Sequence, residues 1–160
     1  MVEAPAFALR VVSSDGTLGR GIRAVDVMCP TGPGARPDPR SDTPPVCGVR
    51  WKRSSDGEGL LLRGNGVTLE FLARMFSVDE RPIVDRTGLT GRFDIELAYR
   101  RPFKIQQNPD GTLGFVQTDP SPTHPDLSVA LFEQLGLGLQ PIMVTKKVLV
   151  VDRIQRPLMD

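Results

Sequence analysis

The chain is poor in the residues that carry most enzyme chemistry. Its 160 residues include one histidine, His124, and two cysteines, Cys29 and Cys47, whose separation does not match a zinc site. No Gly-x-Ser-x-Gly nucleophile elbow occurs, and a Ser-His-Asp set would need His124, which we expect to lie exposed in a loop. A pairing of either cysteine with His124 is formally possible. We predict no catalytic residue, no cofactor and no metal site.

The chain also lacks an excess of charge of either sign and a long hydrophobic run. Lysine and arginine total 20 and the acidic residues 19, so the net charge of +1 gives no positive surplus for nucleic acid. One tryptophan and one tyrosine provide no stacking platform for single strands. The longest apolar run, residues 148–151, is far shorter than the ~20 residues of a membrane-spanning helix. We therefore predict no nucleic-acid partner and no membrane span in this chain.

Glycine and proline, in contrast, are abundant. The 16 glycines and 15 prolines make up about a fifth of the chain, which excludes a helix bundle and favours short strands joined by loops. Residues 30–46 contain six prolines, a density that neither strands nor helices tolerate, and residues 102–125 contain five. We predict a surface loop or partly disordered segment at residues 30–46 and a second loop at residues 102–125.

The remaining segments carry strand and helix patterns. A helix is predicted after the N-cap Thr68, where Leu69, Leu72, Ala73 and Phe76 form one apolar stripe, and a second after Asp126, ending at Gly136. Strands are predicted at residues 6–12, 49–53, 60–63, 83–85, 92–99, 142–144 and 148–154. The strict alternation of residues 92–99 is typical of an antiparallel sheet with one wet face.

These elements predict an α+β fold with a mainly antiparallel sheet and two helices on one face. The core has the order β-α-β-β-α-β-β and is preceded by strands and the proline-rich loop. A length of 160 residues predicts one domain, residues 1–160. Within it, residues 1–48 hold the N-terminal strand and the proline-rich loop, and residues 49–157 form the core.

Charged side chains share the wet face of the strand at residues 92–99. Arg92, Asp94 and Glu96 lie there at every second position, so they could form a contact face, although cross-strand salt bridges would also explain them. We predict that this strand and the strand at 83–85 lie at a sheet edge, with residues 147–154 inside the sheet. The open edge would bind a protein partner, and the domain would be a monomer.

Four segments resemble a known family. They are VTL at 67–69, PIVDRTGLTGRFD at 82–94, FEQLGL at 132–137 and VLVVD at 148–152, and VDRTGLTGRFD is the most specific of these motifs. The family comprises uncharacterised, soil-associated proteins of soil bacteria with a domain of unknown function. The resemblance runs from Pro5 to the end of the chain and corresponds to the C-terminal part of family members, which are longer and usually begin with a signal peptide.

A second resemblance concerns the pattern around the two helices. Val67-Thr68-Leu69 and Gly136-Leu137 are similar to the short N-terminal domain of secretins and TonB-dependent receptors, a periplasmic protein-contact module without chemistry of its own. Some members of the soil-associated family look linked to antibiotic-sensor metallopeptidases of the membrane. That link favours a regulatory role as an alternative.

The family resemblance implies a periplasmic or extracellular location. The start of the chain has no basic n-region and no apolar h-region, so the sequence predicts a cytoplasmic location if the chain is complete. In the oxidising compartment that the resemblance implies, Cys29 and Cys47, which flank the proline-rich loop, are expected to form a disulfide.

We therefore expect a non-catalytic, extracytoplasmic binding or protein-contact module. The alternatives are a ligand-sensing regulatory domain associated with a membrane sensor peptidase and, less favoured, a small hydrolase. A pocket lined by Arg92, Asp94 and Glu96 would favour the sensor, whereas His124 held rigidly against an acid would favour the hydrolase.

Overall fold

The computed structural model describes residues 1–30, 47–101 and 103–147. Half of these residues lie in strands, and most strand pairs are antiparallel, so the predicted α+β class is confirmed. The predicted strand at 148–154 and most of the first proline-rich loop lie outside the described residues.

Ten strands and two helices make up the described part of the chain. The strands are β1 (Val2–Val11), β2 (Ile22–Val25), β3 (Gly48–Arg53), β4 (Gly59–Val67), β5 (Ser77–Val78), β6 (Arg81–Asp85), β7 (Arg92–Arg100), β8 (Phe103–Gln107), β9 (Leu113–Gln117) and β10 (Leu137–Lys146). The helices are α1 (Leu69–Met75) and α2 (Leu127–Ala130), and α2 runs directly into a π-helical segment, Leu131–Leu135.

The strands form two four-stranded sheets and a separate hairpin. The first sheet has the order β10-β1-β6-β5, the second has the order β2-β7-β4-β3, and β8 pairs with β9. Only the β1–β6 pair is parallel among the described pairs. Buried side chains from both sheets, α1 and the π-helical segment form one hydrophobic cluster, so the two larger sheets share a core.

The first helix begins as its sequence predicts. The Thr68 side-chain oxygen accepts a hydrogen bond from the Phe71 amide at 3.2 Å, which satisfies one of the free donors of the first turn. Leu69, Leu72 and Ala73 are buried. Phe76 follows the last helical residue and packs edge-to-face on Tyr99, with the ring centroids 5.6 Å apart.

The second helix keeps its predicted ends but not its predicted capping. Asp126 precedes α2 without a side-chain capping bond, because its carboxylate pairs with Arg100 of β7 instead. Gly136 ends the π-helical segment in the left-handed region, with φ of 68°, as the glycine predicts.

The second proline-rich segment is not a loop throughout. Residues 103–107 and 113–117 form the β8–β9 hairpin around a turn at Asn108-Pro109-Asp110-Gly111. The prediction of a loop was wrong for these residues because none of the five prolines lies in either strand. The prolines lie before, between and after the two strands, where they interrupt no strand pairing. The only proline inside the segment between the two strands, Pro109, occupies the turn.

The prediction that residues 92–99 form a sheet edge is wrong. They lie in β7, which pairs with β2 on one side and β4 on the other. The predicted strand at 83–85 lies in β6. Its residues pair with β1, whereas β5 pairs only with Arg81 and Pro82, so residues 83–85 have no described strand partner on their other side. The alternation of β7 is confirmed, because Phe93, Ile95 and Leu97 are buried. Alternation reports which face is wet, but it does not report how many neighbours a strand has.

Beyond the end of β2, other groups continue the pairing of β7. The Glu96 amide donates to the Gly21 carbonyl at 2.7 Å, and the Arg100 amide donates to the Pro125 carbonyl at 2.9 Å. Between them the Gln134 side chain accepts from the Ala98 amide at 2.8 Å and donates to the Ala98 carbonyl at 2.7 Å. One side-chain amide thus replaces a strand residue and closes β7 to a partner strand.

Replacing Gln134 with alanine should lower the free energy of unfolding by about 1–3 kcal/mol, because both polar groups of Ala98 lose their partner. Urea unfolding would measure this loss. The matched control is Glu133→Ala at the neighbouring exposed position, where we expect a change within about 0.5 kcal/mol. Equal stability of the two variants would contradict this role of Gln134.

Candidate contact surface

Arg92 and Asp94, two residues of the predicted contact face, hold a bulge in the neighbouring strand. Pairing of β4 with β7 shifts between Gly64 and Val67, so that two residues of β4 lie opposite Asp94. Asp94 Oδ1 accepts from the Gly66 amide at 3.0 Å, and Arg92 donates to the Gly66 carbonyl at 2.8 Å. These two side chains therefore have a structural role at the bulge.

Asp94 and the third predicted residue, Glu96, take part in ion pairs across the sheet. Asp94 Oδ2 lies 3.0 Å from Arg23 of β2, and Glu96 lies 2.8 Å from Arg63 of β4. These are the cross-strand salt bridges that the sequence offered as the alternative. Because the side chains are half-exposed or exposed, each pair is worth about 0–1 kcal/mol. A contact role for this face stays a prediction.

An open groove of about 900 Å³ runs over the same wet face. Its walls carry both signs of charge: Arg20, Arg23 and Arg63 face the same space as Asp94, Glu96 and Glu133. Arg92 is not among its lining residues, so only two of the three predicted residues reach it. The charged side chains of the groove are balanced in sign, so the groove is not selective for ligands of one charge.

His124 lies in a different place from the one expected for an exposed loop imidazole. Its side chain is only 15% exposed, and Nδ1 lies 3.6 Å from Asp56. The ring packs over Gly59 so closely that an added Cβ there would lie 1.9 Å from Cδ2 and 2.3 Å from Nε2. The prediction of an exposed ring is wrong, because the segment folds back onto the β3–β4 turn.

The surroundings of His124 nevertheless differ from a catalytic triad. A hydrogen bond from the Ser54 hydroxyl is the main cause that lowers the pKa of Asp56, and the charge of His124 is a smaller cause. The same hydroxyl also bonds Gly59. Among the described hydrogen bonds of the imidazole ring, one runs to Thr123 and none reaches a serine. The described bonds therefore do not pair this imidazole with a serine nucleophile.

The most exposed apolar surface of a strand pair lies on the β8–β9 hairpin. The register places Ile105 opposite Phe115, and the flanking pairs place Phe103 and Leu113 on the same face. Their exposed fractions are 52% for Phe103, 55% for Ile105, 71% for Leu113 and 78% for Phe115. We call these four residues the apolar face. The alternation of residues 103–107 was the available sequence signal, and the prolines around it concealed it.

The described ranges hold no group of three or more His, Cys, Asp or Glu side chains that could bind a metal ion. They also contain no helix that is both long and apolar enough to cross a membrane.

Cys29 and Cys47 lie at disulfide-bonding distance, with their Cα atoms 5.5 Å apart. Cys47 directly precedes β3, and the Cys29 sulfur lies 3.6 Å from the Gly66 carbonyl oxygen. The pair therefore connects the end of the first proline-rich segment to the bulge that Arg92 and Asp94 hold.

Replacing Cys29 with serine should lower the free energy of unfolding by about 3 kcal/mol, because the unfolded chain gains the freedom that the cross-link removes. Urea unfolding with and without reductant would measure this loss, and mass spectrometry of non-reduced peptides would identify the bond. The reduced wild-type chain should match Cys29→Ser. Two free thiols in protein purified from an oxidising compartment would refute the disulfide.

Comparison with known proteins identifies a family but no function. Searches of the curated proteins and of the solved structures each found no match. A family model described as a protein of unknown function, DUF3738, matches residues 3–154, which includes nearly every described element. The chain therefore belongs to the DUF3738 family of proteins of unknown function.

Proposed function

We propose that this domain is a non-catalytic, extracytoplasmic protein-contact module whose contact surface is the β8–β9 hairpin. The observation that carries this proposal is the apolar face, on which four large side chains are each more than half exposed. Contiguous apolar surface of this kind on a soluble domain marks interaction sites.

The hairpin also has an energetic reason to bind something. Among the described strands, β8 and β9 pair only with each other, and none of their described residues is buried. An isolated two-stranded hairpin is at best marginally stable in water, and packing of its apolar face against another surface stabilises it. Binding of a partner would therefore order the hairpin and remove its apolar side chains from water.

The cysteine pair supports the extracytoplasmic part of the proposal. Disulfides persist in oxidising compartments and are rare in the cytosol. The resemblance to soil-associated bacterial proteins and to the periplasmic domain of secretins points to the same compartment. Those two resemblances suggest a cellular location, whereas the family-model match shows which family the chain belongs to.

The non-catalytic part of the proposal rests on His124. The hydrolase alternative asked for His124 held against an acid, and Asp56 meets that condition at 3.6 Å. The Nε2 side of the ring, however, lies over Gly59, and the Ser54 hydroxyl is engaged by Asp56 and Gly59. We interpret this cluster as a contact that attaches the 118–126 segment to the β3–β4 turn.

A second candidate function is ligand sensing, as a regulatory domain associated with a membrane sensor peptidase. The groove over the wet face favours it, because Asp94 and Glu96 both line that space. Their ion pairs with Arg23 and Arg63 would have to open or rearrange to bind a charged ligand. Retention of a small molecule in native mass spectrometry, lost in Glu96→Gln, would favour this candidate over the contact module.

A photo-reactive phenylalanine analogue at position 115 should form a discrete covalent adduct with a protein in the native host. The probe conserves the size of Phe115 and lies at the most exposed point of the apolar face. The matched control carries the same probe at Ser14, an exposed turn residue far along the chain from the hairpin. Adducts would be measured by mass on denaturing gels. Equal, background-level labelling at both positions would overturn the proposed contact surface.

The His124→Ala variant should have the same activity as the wild-type chain, namely none, in a panel of esterase, peptidase and phosphatase assays. The reason is that the one described hydrogen bond of the imidazole ring runs to the hydroxyl of the adjacent Thr123, at 3.3 Å, and none reaches a serine. Turnover by the wild-type chain that His124→Ala abolishes would establish the hydrolase and contradict the non-catalytic proposal. Circular dichroism of the variant would show whether the fold is retained.

A further inference from the structure

We propose that the apolar face of the β8–β9 hairpin binds a second copy of this chain, so that two hairpins pack face to face around a two-fold axis. This inference rests on the proposed function and names the partner of the same surface. It also replaces the monomer that the sequence predicted.

The chemistry of the apolar face suits pairing with itself. At a two-fold axis the same groups meet, so a charged surface would repel its own copy. The six residues of this register set are the apolar face together with Gln107 and Gln117, and none of them is charged. The only charged residue of the two strands, Lys104, pairs with Val116 and so belongs to the other set.

Among the described strands, the other long outer edges are less suited to a second copy. The outer edge of the second sheet is β3, which carries Lys52 and Arg53, so two copies of this edge would bring like charges together. At the opposite edge of the same sheet, β2 is only four residues long. The outer edge of the first sheet, β10, contains Pro141, which has no amide to donate to a partner strand.

The geometry of the face is also self-complementary. Ile105 and Phe115 lie directly opposite each other, with Phe103 toward one end of the ribbon and Leu113 toward the other. A two-fold axis that lies in the interface, parallel to the strands and over this pair, would place Ile105 of one copy against Phe115 of the other. Phe103 and Leu113 would then flank this contact at its two ends, opposite Gln117 and Gln107 of the other copy. Each apolar contact would then occur twice, as in an isologous interface.

The available area sets the expected strength. Taking roughly 180 Å² for each fully exposed side chain of this size, the exposed fractions leave roughly 450 Å² of apolar surface per copy. Two copies would bury roughly 900 Å² in total, below the ~1,200–2,000 Å² of stable complexes. We therefore expect a weak dimer whose population depends on concentration, rather than an obligate one.

Sedimentation of the oxidised full chain from about 10 μM to about 1 mM should show the mass rising from 17.5 kDa toward twice that value. The double variant Ile105→Thr/Phe115→Thr should raise the dissociation constant more than about tenfold. Threonine is chosen because it keeps a high strand propensity. The matched control is Val116→Thr, on the other face of the same ribbon, which should dimerise like the wild-type chain.

Three outcomes would overturn the inference: a wild-type chain that stays monomeric over the whole range, a dimer that survives the double variant, and a dimer that Val116→Thr disrupts equally. If the double variant loses the hairpin itself, the purified chain with the photo-reactive probe at position 115 supplies the second test. It should give a covalent product of two chains, and its absence would also overturn the inference.

The same probe separates this inference from the proposed function. If the purified chain is monomeric but the native host yields an adduct with a different protein, the second-copy inference fails and the contact module stands. If neither experiment gives an adduct, both fail.

Discussion

The path of the chain through the second sheet depends on the bulge at Gly66. Here β4 stops pairing with β7 in register, and two residues later the chain enters α1 at Thr68. Gly66 has φ of 57°, a conformation that costs glycine little and other residues about 1 kcal/mol or more. Asp94 binds its amide and Arg92 its carbonyl, so the peptide groups that the bulge removes from the ladder keep partners.

The bulge that Arg92 and Asp94 hold connects three parts of the molecule: the second sheet, the cysteine pair and α1. The Cys29 sulfur lies 3.6 Å from the Gly66 carbonyl, so the cysteine pair reaches the same point from the N-terminal segment. Thr68 then begins α1, whose buried residues join the core that both sheets share. A charged pair on a wet face can thus be structural, because its hydrogen bonds go to the backbone of a neighbouring strand rather than to a ligand.

A side chain bonded to the backbone also occupies the free side of β7. The exposed apolar surface that remains for a partner is the one on the β8–β9 hairpin. Gln134 completes the pairing of β7 beyond β2, so this strand offers no edge to a partner. The apolar side chains of β7 face the core, whereas those of β8 and β9 face water. The binding that we propose would therefore use side-chain burial on the hairpin rather than strand addition to β7.

Local patterns in the sequence determined much of the architecture. The apolar stripe from Leu69 and the N-cap Thr68 predicted α1, the alternation of residues 92–99 predicted the buried face of β7, and Gly136 predicted the end of the second helical segment. These features depend on neighbours within a few residues, which is why the sequence alone could predict them. The cysteine pair followed from a family resemblance, and the tertiary structure shows that the two residues lie within bonding distance.

Only the tertiary structure decided which strands lie side by side and what the polar side chains bind. The edge position assigned to residues 92–99 was wrong, because β2 is 67 residues or more away in sequence and Gln134 lies on another element. Arg92 and Asp94 found their partner at Gly66, and His124 packed on Gly59, through contacts of the same long-range kind. Pairings of this sort depend on the whole chain folding back on itself, and no periodicity within one segment encodes them.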